Sequence, residues 1–329
     1  MKKLVLLAVL AVFAIALAPL ASNALTISPP IVELDLNKGD VVSQNVKIMN
    51  DSGADVTYYL AVQRFIAAPS GDGAPEFIEE NASIGLASWM ELPFSKITVK
   101  ARETLEVPVV VRVPNNASPG GNYAALFIGT EPPTAEGSQV GLTQRIGTLF
   151  LVRIAGQVRE SATVTQFKTD AKSYSSLPVK FSATIDNIGN VHIKPAGNIV
   201  IRNMFGRKAA VVPFNDKGGN ILPDSDRTFD SVWTKTYEEL PKATTFWAKY
   251  QEQKDNFAFG KYTAELNAAY GSNKALKQVT SFWVFPVYVI IVQLIFWIII
   301  ILILVFAFRK YNDWLITRYE LGKIQKRKK

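Results

Sequence analysis

The chain has 329 residues, 48% of them hydrophobic, with 36 Lys+Arg against 28 Asp+Glu, one His and no Cys. The cysteine count excludes disulfides, thiol chemistry and thiolate metal sites together. A pI near 9.4 would suit a nucleic-acid binder, but the excess sits at the termini. Setting aside Lys2, Lys3 and the eight basic and two acidic residues after Phe308 leaves 26 charges of each sign, which excludes a strongly basic phosphate-binding surface on the remainder.

The first element is a targeting segment. "MKK" precedes an apolar run from Leu4 to Ala18 and then "PLASNA", with small residues at Ser22 and Ala24. A short basic start, apolar middle and small-residue end predict a secretory signal peptide over residues 1–24. Export without disulfides fits a bacterial or archaeal envelope, where the Asn-Ala-Ser triplets at Asn81 and Asn116 are incidental.

From Leu25 onward the dominant pattern has period two, the mark of half-buried strands. In "TLEVPVVVRV", Leu105, Val107, Val109, Val111 and Val113 share a face opposite Glu106 and Arg112. "VKFSATIDN" sets Val179, Phe181, Ala183 and Ile185 against Lys180, Ser182, Thr184 and Asp186. Turn clusters such as "NDSGAD", "PSGDGAP" and "NDKGGN" separate the runs. Many short strands with this punctuation predict an all-β fold of immunoglobulin-like sandwiches.

An internal repeat predicts two of them. The Asn-to-Gly turn at Asn50, Asn-Asp-Ser-Gly, returns in shorter form at Asn187 as Asn-Ile-Gly, and Gly121-Asn122-Tyr123-Ala124-Ala125 aligns with Gly260-Lys261-Tyr262-Thr263-Ala264. The first domain is expected over 25–158 and the second over 159–284. The Gly-Gly pair in "SPGGNYAALFIG" is read as a turn into a late strand. A phosphate loop would need a helix start after the glycines, and an alternating strand follows instead.

That strand is unusual in being apolar on both faces. Tyr123, Ala125 and Phe127 alternate with Ala124, Leu126 and Ile128, and in "GTLFLVRI" Thr148, Phe150 and Val152 alternate with Leu149 and Leu151. An antiparallel sandwich strand normally keeps one wet face. The extra face, assigned to Ala124, Leu126, Ile128, Leu149 and Leu151, is the candidate partner-binding surface, unless residues 66–88 or 131–143 cover it. A second candidate is the mixed aromatic and charged stretch from Val232 to Phe257, which would either stack on sugar rings or pack on the second sandwich.

Chemistry is sparsely represented. His192 has no second His or Cys with which to hold zinc, and no nucleophile-elbow sequence accompanies it. "NKGD" and "PSGDGAP" lack calcium-loop spacing. Glu79-Glu80 and Glu238-Glu239 are sequence neighbours, so on a strand they would face opposite ways. No enzyme, cofactor or metal is expected.

The last element is a spanning helix. Between Lys277 and Arg309 there is no charged residue, and from Phe285 the text is apolar apart from Gln293. This exceeds the roughly 20 residues needed to cross a bilayer. A transmembrane helix is expected over 285–308, with Phe282, Trp283, Phe285 and Tyr288 at one end and Tyr311 and Trp314 at the other as interfacial aromatics. The tail 309–329 carries net +6, which predicts a cytoplasmic tail, extracytoplasmic sandwiches and contact between the tail and anionic lipid.

The chain also resembles a known family, the WxL-interacting proteins of Gram-positive surfaces. The resemblance rests on "ISPPIVELDLNKGD", "VTYYLAV", "SWMELPFSKITVKARETLEVPVVVRVP", "SPGGNYAALFIG" and "DNIGNVHIKPAGNIVIRNMFGR", followed by one spanning helix and a basic tail. It implies a first domain that attaches to peptidoglycan and a second that meets partner proteins, in a membrane-anchored scaffold of the cell envelope. "ISPPIVELDLNKGD" with "VKIMND" also resembles the first domain of periplasmic pilus chaperones, implying an export chaperone as the alternative. Such chaperones hold a client's carboxylate with a basic residue in the cleft, whereas this chain has no Lys or Arg between Leu25 and Asn37.

Overall fold

The structure, a computed structural model, describes residues 25–78, 84–132, 145–235 and 244–327, with side chains to 316. The expected signal peptide, the Asn81 triplet and both paired carboxylates lie outside the described residues. In chain order the strands begin with β1 (Leu25–Ser28), β2 (Ile31–Leu36), β3 (Val41–Asn50), β4 (Val56–Ala67) and β5 (Pro75–Ile78). A four-residue helix α1 (Leu86–Trp89) precedes β6 (Met90–Glu91), β7 (Lys96–Val99), β8 (Thr104–Arg112), β9 (Gly120–Gly129) and β10 (Arg145–Ile154). Then come β11 (Ala162–Thr169), β12 (Ser173–Tyr174), β13 (Val179–Asn187), β14 (Ala196–Asn203), β15 (Lys208–Phe214) and β16 (Ser225–Trp233). Helix α2 (Phe246–Asp255), β17 (Gly260–Tyr270), β18 (Lys274–Val284) and the long helix α3 (Val287–Arg327) complete the chain.

The fold is all-β, of immunoglobulin-like sandwiches, with one long apolar helix at the end. Strands β1 to β10 make a four-stranded sheet, β1-β3-β8-β6, and a six-stranded sheet, β2-β10-β9-β4-β5, with β7 beside β4. Val46, Val107 and Val109 from the first pack with Leu60, Leu126 and Phe150 from the second in one core. Strands β11 to β18 make sheets β11-β13-β16 and β12-β18-β17-β14-β15. By contacts the chain divides into two compact units, the first comprising Met1–Thr163, Ile185–Lys194 and Gly219–Arg227, the second Val164–Thr184, Pro195–Gly218 and Thr228–Lys329.

The alternation in β8 and β13 is realised. Val107, Val109 and Val111 are buried, as are Val179, Phe181, Ala183 and Ile185. The Asn turns prove to be a repeated corner in which a buried side chain replaces missing backbone partners. Asn50 Nδ2 donates to the carbonyls of Ala54, Val99 and Lys100, and its Oδ1 accepts the Ser52 N–H. Asn187 Nδ2 donates to Val191, Ile221 and Leu222, and its Oδ1 accepts the Gly189 N–H.

The second half of the repeat needs a one-residue correction. Both β9 and β17 open on a glycine with left-handed φ, Gly120 at 125° and Gly260 at 101°, so Gly260 matches Gly120 and not Gly121. A slip of one residue exchanges the two faces of a strand. Tyr262 therefore points into the core, where it packs on Trp233 and Phe282 at 5.1 and 5.7 Å. Its hydroxyl accepts the Phe259 N–H at 3.2 Å, closing the turn that leads into β17. Tyr123 lies on the opposite face of its own sheet and does something else.

Helix α3 is long and apolar enough to cross a membrane over Val287–Ile316. Pro286 precedes its first residue, where a missing N–H costs nothing. The helix continues beyond the expected end at Phe308 as far as Arg327. Its apolar side chains up to Ile316 are exposed, except that Tyr288, Val289, Ile290, Val292 and Ile300 are half-buried, and such exposure suits a lipid-facing helix.

Candidate functional site

The candidate site is the outer face of the β10-β9-β4-β5 portion of the first unit. The register pairs Leu149 with Ala125, Leu151 with Tyr123 and Gly147 with Phe127, so these residues share one face. Ala124, Leu126 and Ile128 pair with Phe150, Thr148 and Ile146 on the other face. All three are fully buried in the sandwich core. The five residues expected to form one surface are thus split. Ala124, Leu126 and Ile128 are interior, while Leu149 and Leu151 stand on the outer sheet face. The physical reason is the register slip just described: with apolar residues on both faces, alternation alone left the phase of β9 open.

The outer face has its own small apolar cluster. Phe65, Ala125 and Leu151 are buried there, and Phe77, Tyr123, Phe127, Leu149 and Leu222 pack against them half-buried. The rings meet edge-on or tilted, Phe65 to Phe77 at 6.0 Å, Phe65 to Tyr123 at 5.8 Å and Phe77 to Phe127 at 4.7 Å. Such pairs add about 0.5–1.5 kcal/mol each beyond their burial. Part of the cover comes from residues 66–88, because β5 lies within them and carries Phe77. The alternative cover, 131–143, falls almost wholly outside the described residues. The Arg145 guanidinium stands 5.3 Å over the Phe127 ring, closing one end of the stripe.

The other end is closed by a polar lock. The Asn190 carbonyl accepts the Gly121 N–H at 2.8 Å. A Cβ on Gly121 would fall 1.9 Å from the Tyr123 hydroxyl, so the second glycine makes room for that side chain. The hydroxyl accepts the His192 N–H at 2.8 Å and lies 3.3 Å from His192 Nδ1. Arg153 donates to Glu160 at 2.9 Å and to the His192 carbonyl at 3.1 Å. Glu33 accepts from Lys194 and Asn220, both at 2.7 Å. Burial, reinforced by the Arg153 charge, brings the His192 imidazole down to about 4, while Glu33 and Asp35 oppose the shift. Burial likewise pushes the Tyr123 phenol up. Both groups are neutral across the physiological range, which suits a structural pair. Beside them lies a cleft of about 410 Å³, lined by Arg64, Phe65, Leu86, Tyr123, Asn190 and Leu222 among others.

Sequence reasoning missed Phe65, Phe77 and Leu222, and missed that Tyr123 meets His192 across 69 positions. Nothing local to either residue signals that pairing. Among the described residues, no group of three or more His, Asp or Glu side chains converges as metal ligands.

No protein-family model matches the chain, and no curated protein matches it. Solved structures similar to it include the class 5 fimbriae chaperone CfaA, 14% identical over 79% of this chain and 99% of that one, with a TM-score of 0.38. The CsuC–CsuE chaperone–tip adhesion subunit pre-assembly complex from Acinetobacter baumannii is 11% identical, over 79% and 98%, with a TM-score of 0.35. The E. coli chaperone DraB is 12% identical, over 78% and 96%, with a TM-score of 0.34.

Proposed function

We propose that the chain is a membrane-anchored, extracytoplasmic protein-binding module, and that the outer β10-β9-β4-β5 face of the first unit takes an apolar segment of another exported protein. The observation that supports this reading is the second apolar face of that sheet. Phe127, Leu149 and Phe77 are only half-buried where an antiparallel sandwich strand ordinarily turns polar side chains to water. Aliphatic and aromatic side chains with one cation at the rim suit a peptide chain. A glycan would ask for hydrogen-bonding groups interleaved with open aromatic faces, so the peptidoglycan attachment implied by the WxL-interacting resemblance is the competing reading. Chaperoning of exported subunits is the sharper form of the proposal. Orientation follows the basic tail, with the sandwiches outside and residues 309–329 inside.

The test uses the full chain in detergent, sedimented with purified peptidoglycan and, separately, mixed with unfolded exported subunits from the same cells. The proposal expects capture of the subunits, reduced by Leu149→Lys, and no saturable sedimentation with the wall polymer. Saturable wall binding that ignores Leu149→Lys would return the scaffold reading to first place.

A further inference from the structure

We propose that one end of the second unit is a lipid-docking collar, which seats the β-sandwich on the interfacial zone of the bilayer leaflet from which α3 emerges. This rests on the reading of α3 as a spanning helix and extends it to residues far from that helix in sequence.

The placement follows from strand pairing. Gly260 pairs with Val284 and Asn203 with Tyr262, so the start of β17, the end of β18 and the β14–β15 hairpin lie at the same end of the sheet. That is the end from which Phe285, Pro286 and α3 depart. At the tip of the hairpin, Phe205 is 79% exposed and Met204 is 48% exposed. A Cβ on Gly260 would fall 1.9 Å from Met204 Cε, which puts the hairpin against the α2–β17 junction.

Helix α2 is fastened to the first turn of α3. The buried Gln253 side chain accepts the Tyr288 N–H at 2.8 Å and the Val289 N–H at 3.4 Å, capping two donors that a helix start leaves open. Phe246 meets the Tyr288 ring at 5.3 Å, and Lys249 Nζ stands 5.5 Å over it. Trp247, beside them, is 66% exposed. Phe257, Phe259, Trp283 and Phe285 are also exposed around this junction, with Trp283 stacked on Phe285 at 5.3 Å.

The occupant is argued from continuity with the helix. The uncharged apolar run Val287–Phe308 has 22 residues, or ~33 Å of helix, which matches the roughly 30 Å hydrocarbon core and puts its first turn where the headgroups begin. The first turn of α3 then lies among headgroups, and whatever is bound to that turn lies there too. Trp and Tyr favour this zone because it takes their apolar rings and wets their polar N–H or O–H, and Phe joins them as an apolar ring that buries at the acyl boundary. The exposed cations Arg207, Lys208 and Lys254 flank the aromatics and suit lipid phosphates, although Glu252 and Asp255 share α2 with them. Exposed rings gathered around a helix that enters lipid are what an interfacial seat requires.

The test exploits the absence of cysteine. Nitroxide labels are attached to Phe205→Cys, Trp247→Cys, Leu302→Cys and Asp216→Cys, one at a time, in the full chain in phosphatidylcholine–phosphatidylglycerol nanodiscs. Collision with oxygen and with a nickel chelate then reports depth. Asp216, exposed in the β15–β16 turn at the far end of β15, is the water reference, and Leu302 tests the spanning helix. The collar predicts a shift of the 205 and 247 labels from the water value to headgroup depth, with 302 in hydrocarbon. If 302 lies in hydrocarbon while 205 and 247 match 216, the collar is overturned and the anchor stands. If 205 and 247 are shielded from both reagents, a protein contact occupies the surface and the collar is again overturned. A 302 label outside hydrocarbon removes the spanning reading and the collar with it.

Discussion

At the scale of single residues, Gly121 and Tyr123 show how a backbone position and a side chain specify each other. Only the missing Cβ of Gly121 lets the Tyr123 hydroxyl reach the His192 N–H. Tyr123→Phe leaves that buried donor without its acceptor and is expected to lower stability by about 1–3 kcal/mol, read as a lower urea midpoint of the full chain in detergent. An unchanged midpoint would mean that water replaces the hydroxyl. His192 adds a pH dependence whose sign is set by its lowered pKa. The unfolded imidazole, near 6.5, binds protons more readily than the folded one, near 4. Stability from the neutral, buried ring is therefore complete above about pH 6.5 and declines as pH falls from 6.5 toward 4, by roughly 3 kcal/mol at most. A His192→Asn variant should lose that part of the pH profile while keeping whatever the carboxylates contribute. Neither the Tyr123–His192 pair nor the Arg153 contact to the His192 carbonyl was legible beforehand, because their partners lie tens of residues apart and no periodicity links them.

At the scale of elements, legibility followed the contrast between the two faces of each strand. β8 and β13 alternate apolar with polar residues, so their buried faces were readable residue by residue. β9 offers apolar residues on both faces, and the Gly120-Gly121 pair permits two alignments with Gly260. Only the left-handed φ at Gly120 and Gly260 decides between them. Leu126→Lys should now unfold the first sandwich, because it puts an ammonium into a fully buried core position. Leu149→Lys should leave the melting temperature within a few degrees of the parent while weakening partner capture. A folded Leu126→Lys protein, or an unfolded Leu149→Lys one, would reverse the assignment of faces. The Asn corners make a paired prediction. Asn50→Ala and Asn187→Ala each strip three carbonyls of a buried donor and should each cost about 2–3 kcal/mol or more, seen as lower urea midpoints. An Asn closely followed by Gly at the end of a strand showed that the corner recurs; the three-carbonyl bonding became visible only once the strands were paired.

At the scale of the whole chain, the long apolar helix was the most legible feature, since an uncharged apolar stretch of this length has few alternatives. The ring of aromatics around its first turn was legible only in part. Trp283, Phe285 and Tyr288 adjoin the helix in sequence, but Phe205 and Trp247 reach that end through strand pairing and the Gln253 cap. The proposed function rests on the outer face of the first unit, and site-specific photocrosslinking tests it most directly. Benzoylphenylalanine at Leu149 or Phe127, and as a control at exposed Val211 on β15, is introduced into the full-length protein in its own membrane and irradiated. The account predicts discrete adducts with exported proteins from positions 149 and 127, and none from 211. Adducts equally frequent from all three positions, or label at 149 and 127 appearing only in wall polymer, would contradict it.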